Sequence, residues 1–193
     1  MKLKRRDKMI ITLFVLCTVV VCLVLFFRQK KFGSTPTGYR KEVVQSSPNY
    51  NSGRFQNQNH TPQFTGDKSV FALMSDLFFG KFYRLKPTSE IPVIKTDLLS
   101  LPLEQDVLVW FGHSSYLIQI DGKRILVDPV MSGAASPVSF INKPFKGSDF
   151  YSTKDVPPID YLFISHDHWD HLDYSTVQSL KSRTSNIICG LGV

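Results

Sequence analysis

The residues best equipped for chemistry lie side by side. His166-Asp167-His168-Trp169-Asp170-His171 sets three imidazoles and two carboxylates in six positions, directly after the apolar run Tyr161-Leu162-Phe163-Ile164-Ser165. A divalent cation of borderline softness takes neutral imidazole and carboxylate ligands, and a strand that ends in a loop can aim several of them at one point. His166 and His168 are two apart, so in extended backbone they project to the same side and would share one ion. Asp170 and His171 fall where the chain turns toward a helix-like stretch, which lets them face a second ion. The pattern predicts a dinuclear centre held by His166, His168, Asp170 and His171. Asp167 lies between the two histidines, points the other way and reads as a capping carboxylate of the loop.

Such a cluster needs a strand before it and a helix after it. Residues 161–165 supply the strand, residues 175–182 read as the helix with Asp173 or Ser175 as its cap, and residues 186–189 resume as a buried strand. Cys189 closes that last strand, where a free buried thiol is expected. Upstream, residues 107–111, 115–120 and 124–127 read as strands, the last two joined by Asp121-Gly122, a dipeptide suited to a tight hairpin turn. A β-meander is the simplest arrangement, and Tyr116 and Trp169 read as packing residues.

The charge of +7 belongs to one end of the chain. Residues 1–66 carry 11 Lys/Arg and 2 Asp/Glu, whereas residues 67–193 carry 12 and 14, so the folded part has no electrostatic footprint for nucleic acid. Within the basic end, residues 1–8 form a tail with five Lys/Arg, and residues 9–27 hold no charge at all. Nineteen such residues reach about 28 Å as a helix, close to the thickness of a bilayer's hydrocarbon core. An uncleaved, single-pass membrane anchor is expected, because Arg28, Lys30 and Lys31 follow where a signal peptide would show small residues. The cationic tail would keep the N-terminus in the cytoplasm and place the rest on the exported side. Residues 28–66 are rich in Ser, Thr, Pro, Asn, Gln and Gly and read as a flexible tether, leaving residues 67–193 for the folded domain. Phe71, Met74, Leu77, Phe78 and Phe82 recur at helical spacing, which predicts an amphipathic helix that packs on the domain or lies on a lipid surface.

Taken in order, several motifs resemble the metallo-β-lactamase superfamily, an α/β fold in which two sheets form an αββα sandwich. They are Trp110-Phe111-Gly112-His113-Ser114-Ser115, Asp121-Gly122-Lys123-Arg124-Ile125-Leu126-Val127-Asp128-Pro129, Ala135-Ser136-Pro137-Val138, Pro158-Ile159-Asp160-Tyr161 and Ser165 to Asp173. Together with Gly53-Arg54-Phe55-Gln56-Asn57 they are similar to the N-acylphosphatidylethanolamine phospholipase D branch, which includes bacterial proteins of the RomA type. The resemblance covers residues 50–193 and implies Zn2+, two ions per complete site. It puts His166 and His168 on the first zinc and Asp170 and His171 on the second, with Asp170 also taking part in catalysis. Asp128 would orient a ligand histidine from behind, and His113 would do the same from the Gly-His-Ser-Ser turn or else be a histidine hydrogen-bonded inside the sheet. Two neighbouring cations acidify water and stabilise charge that develops on the substrate, so no side-chain nucleophile is needed. In that branch the target is the phosphodiester of a lipid headgroup, and the bilayer and a lipid substrate are the expected partners. Relatives in the superfamily open lactones or cleave other phosphate esters.

A complete site of this family draws a further histidine, a bridging carboxylate and a last histidine from the second half of the sandwich. After the cluster the only acidic residue is Asp173, and no histidine follows His171. The expectation is therefore the first half of the fold, with one apolar sheet face uncovered, belonging to a longer metallo-hydrolase. The alternative is a catalytically inactive fragment that acts only as a membrane protein.

Overall fold

The computed structural model describes residues 4–62, 66, 68–81 and 85–193, and divides the chain into two compact units, Met1–Thr35 and Pro36–Val193. The first unit is dominated by α1 (Arg5–Phe27), a helix of 23 residues, none of them buried. It is long and apolar enough to cross a membrane. The helix starts four residues before the uncharged run, so Arg5, Arg6 and Lys8 occupy its first turns beside Asp7. A 3-10 turn (Lys30–Phe32) follows and folds Phe32 back to within 5.0 Å of the Phe26 ring.

In the second unit, the stretch expected to be a structureless tether is partly ordered. It contains α2 (Gly38–Ser46) and a short hairpin of β1 (Tyr50–Asn51) and β2 (Arg54–Phe55). Composition concealed this because a few apolar residues suffice: Val44 is buried, the Tyr50 and Phe55 rings meet at 5.1 Å, and Gly192 lies against both Phe55 and Val44. Arg40 adds a hydrogen bond to the carbonyl of Val193 at 3.3 Å. Helix α3 (Val70–Phe79) follows, capped by the Ser69 side chain, and none of its residues is buried. Phe82, counted into the expected stripe, lies outside the described residues.

The body of the unit is a five-stranded sheet in sequence order: β3 (Val107–Gly112), β4 (Ser115–Ile120), β5 (Lys123–Val127), β6 (Ile159–Ile164) and β7 (Thr184–Cys189). The first three strands form the antiparallel meander, and Asp121 and Gly122 turn the second corner with φ of 48° and 69°, the left-handed pair such a hairpin requires. β6 and β7 add in parallel, linked by α4 (Tyr174–Leu180) and a 3-10 turn (Lys181–Arg183), as parallel strands need a crossover.

One face of the sheet carries the core: Leu117, Leu126, Leu162 and Ile164 pack with Leu98, Val156, Ile159 and Leu180. Gln119 is buried there without cost, since its amide donates to the carbonyls of Pro102 and Gln105 at 2.6 and 2.8 Å and accepts from Arg124 Nε at 2.9 Å. The register lines up Leu108, Ile118, Ile125 and Tyr161, and then Trp110, Tyr116, Val127, Phe163 and Ile188, on the opposite face. Leu108 and Trp110 are 66% and 65% exposed, so among the described residues this apolar face has no cover. β7 departs from the expected buried strand for a related reason. It is the edge of the sheet, and Ile187, Ile188 and Cys189 are all exposed.

Candidate metal centre

The end of β6 opens into a tight loop in which the His168 carbonyl accepts from the backbone N–H of both His171 (2.9 Å) and Leu172 (2.7 Å). That turn folds the cluster back on itself, so the His166 ring centre lies 4.5 Å from that of His168 and 4.0 Å from that of His171. Asp173 then caps α4, taking the N–H groups of Ser175 and Thr176, and its other oxygen receives the Thr176 hydroxyl at 2.6 Å and the backbone N–H of Ser132 at 2.9 Å. One buried carboxylate thereby ties the helix to the loop that follows β5.

Asp128 stands at the end of β5, in a left-handed conformation (φ 43°), with its N–H bonded to the Phe163 carbonyl of β6 at 2.9 Å. Its carboxylate is nearly enclosed and accepts three hydrogen bonds: from Ser165 N–H at 2.7 Å, Ser165 Oγ at 2.6 Å and His171 Nδ1 at 2.8 Å. Burial pushes the Asp128 pKa up, but the hydrogen bonds from His171 and Ser165 outweigh it and hold the group below the ordinary carboxylate value. An ionised Asp128 fixes the Nδ1–H tautomer of His171 and leaves Nε2 with a free lone pair. Ser165 Oγ also lies 3.0 Å from His166 Nδ1, so with its own proton on Asp128 it accepts from that ring and leaves the second histidine in the same tautomer.

On the other side of the loop, His113 projects from the turn between β3 and β4, where Gly112 and His113 both have positive φ and Trp110 Nε1 donates to the His113 carbonyl at 3.0 Å. His113 Nε2 lies 3.0 Å from Asp170 Oδ2, and His171 Nε2 lies 3.7 Å from the same oxygen. Burial raises the Asp170 pKa, while its own backbone N–H and the nearby His171 and His113 rings lower it further, for a net depression.

One ligand atom from each of His113, Asp170 and His171 falls within 4.8 Å of the other two. Two ligands of a tetrahedral zinc at about 2.0–2.1 Å would stand about 3.4 Å apart. The 3.0 and 3.7 Å separations bracket that span, so this donor set fits a borderline divalent cation. All of His113, Asp128, His166, His168, Asp170 and His171 thus come to one end of the sheet, while Asp167 points to solvent and Trp169 is 42% exposed. Two features escaped the spacing argument. His113 stands beside Asp170, in a ligand's place as much as an orienting one, and Ser165 joins two histidines to one carboxylate.

Residues 107–187 match the Beta-lactamase superfamily domain. These residues form a domain of the metallo-β-lactamase superfamily. The chain is similar to an uncharacterised protein of Mycobacterium tuberculosis, 33% identical over 140 residues, which covers 72% of this chain and 38% of that protein. The N-acyl-phosphatidylethanolamine-hydrolyzing phospholipase D 1 of Caenorhabditis elegans is 32% identical over 78 residues, 40% of this chain and 22% of that one. A metal-dependent hydrolase of Caldivirga maquilingensis is 34% identical over 65 residues, 34% of this chain and 23% of its own length. The crystal structure of CmlA, a diiron beta-hydroxylase from Streptomyces venezuelae, aligns at 31% identity over 44% of this chain and 15% of that one, with a TM-score of 0.34. The chain therefore spans well under half the length of these relatives, metal-dependent hydrolases among them.

Proposed function

We propose that this chain forms part of a membrane-anchored, zinc-dependent hydrolase that cleaves a phosphodiester in a lipid headgroup, in the manner of an N-acylphosphatidylethanolamine phospholipase D. The observation that carries the reading is the cluster of ligand atoms from His113, Asp170 and His171, with the His166 ring beside His171 and the His168 ring beside His166, and with the His171 and His166 rings oriented through Asp128 and Ser165. His166 and His168 would hold one ion, and Asp170 and His171 the other, with His113 in reach of the second. Bound there, two zinc ions would supply an acidified water and positive charge opposite the developing phosphorane. The protein's own part is orientation. Asp128 keeps His171 aimed, Ser165 does the same for His166, and Asp170, ionised and hydrogen-bonded to His113, would take a proton from the attacking water. Helix α1 would hold the site at a bilayer, with the domain on the exported side, so that the substrate is reached in the plane of the membrane. Coordination positions not filled by these residues are open to substrate, water or further protein ligands.

The test is metal content and turnover of the protein in vesicles containing N-acylphosphatidylethanolamine. About two zinc ions per chain and release of phosphatidic acid, both lost in His168→Ala and Asp170→Ala, are expected. A protein that binds no transition metal, or one whose turnover survives both substitutions, overturns the reading. Opening of an added lactone with no phosphodiester cleavage would assign the site to another branch of the superfamily.

A further inference from the structure

Helix α3 has the composition of a core element and the exposure of a surface one. Val70, Phe71, Met74, Leu77, Phe78 and Phe79 are between 46% and 84% exposed. Phe71, Met74 and Phe78 stand three and four residues apart, with Val70 and Leu77 beside them, so one continuous apolar stripe runs the length of the helix. At ten residues it is about 15 Å long, half of what a bilayer crossing needs. Its sole acidic residue, Asp76, is paired with Lys68 at 2.6 Å, and in sequence residues 68–86 carry a net +3.

We propose that α3 is a second membrane contact, a helix that lies in the interface of an anionic bilayer with the Phe71, Met74, Leu77 and Phe78 stripe among the acyl chains. Two observations select lipid over a protein partner. The helix is followed in sequence by Lys81 and Lys86, and lysine stems reach from an apolar surface to the headgroup layer with a charge that complements anionic lipid. The same chain also carries α1, a helix of membrane-spanning length, at a separation of 42 residues from the start of α3. A tethered domain would be pinned at two points, and interfacial binding by so short a helix gains from the high local concentration the tether provides. The inference rests on the anchoring part of the proposed function, not on the metal site or the substrate.

The experiment uses the full chain reconstituted in vesicles of phosphatidylcholine, with and without phosphatidylglycerol, carrying one environment-sensitive fluorophore on a single cysteine. Cys22 alone, with Cys17→Ser and Cys189→Ser, reports on α1. Leu77→Cys, with the three native cysteines replaced, reports on α3, and Gln178→Cys on the exposed side of α4 serves as the solvent reference. With phosphatidylglycerol present, the label at Leu77 should shift to the blue and be quenched several-fold more by lipid-borne nitroxide than the label at Gln178. Lys81→Glu with Lys86→Glu should remove most of that quenching and leave Cys22 unchanged. A label at Leu77 that stays in water while Cys22 is quenched overturns the proposal and spares the anchor. Shielding of Leu77 without lipid quenching also overturns it, since the helix is then covered by protein. Quenching at Leu77 without quenching at Cys22 sustains the interfacial helix and removes the anchor instead.

Discussion

At the scale of single residues, Asp128 explains why a short run of histidines is more than a composition. A carboxylate with three donors and almost no solvent stays ionised, and its charge sets the orientation of a ring 43 positions further along the chain. Asp128→Asn keeps the shape and removes the charge, so metal affinity should fall about 10- to 100-fold in a competition titration with a chromophoric chelator, with the circular dichroism unchanged. Equal affinity would mean that His171 needs no such support. Ser165→Ala should weaken binding in the same direction but by less, because Asp128 retains the His171 contact and the Ser165 N–H. Spacing singles out His166, His168, Asp170 and His171 as candidates, whereas the place of His113 beside Asp170 and the contacts of Ser165 leave no such signal. Their importance depends on where β3 and β5 deliver their ends, and no local pattern carries that.

At the scale of elements, the joints are polar and small. Asp173 gathers backbone N–H groups from two segments more than forty residues apart, so Asp173→Ala removes the acceptor of one buried and several part-buried donors. Chemical denaturation should show a loss of about 1–3 kcal/mol or more, the cost of a cap and of unsatisfied buried groups together. Gly147 is the second joint: at φ 87° a side chain is strained, and a Cβ there would run into the Ile91 carbonyl. Gly147→Ala should therefore lower the unfolding midpoint more than alanine at Gly133, where φ is also positive but nothing lies within 4 Å. Strands β3 to β6, the Asp121-Gly122 corner and α4 with its Asp173 cap follow the periodicity and turn chemistry of the sequence, because each satisfies its local preferences in place. The exposure of β7 and the order in residues 38–55 are set by neighbours distant in sequence. Val44 and Phe55 find cover at Gly192, and β7 finds none at the sheet edge.

At the scale of the whole molecule, the carboxylates share a direction: Asp128, Asp155, Asp160 and Asp170 are all held below the ordinary value. Asp155 shows the consequence most plainly. Its hydrogen bond with Lys95, 2.9 Å away, and those from Ser152 depress it from 3.8 to about 2. The unfolded chain takes up this proton first, so the stabilisation is complete above pH 3.8 and disappears as the pH falls toward about 2. Urea titrations across that window should show the wild-type protein losing more stability than Asp155→Asn, and parallel curves would remove the pair from the account. The order in which strands join the sheet has a temporal consequence. β3 and β4 pair with their immediate successors through short turns, but β6 joins β5 after a crossover of about thirty residues, and the His113 to Asp170 contact closes a loop of 57 positions. During refolding the meander should collapse early, and competence to capture an ion should emerge only in the slowest kinetic phase, when distant segments finally dock.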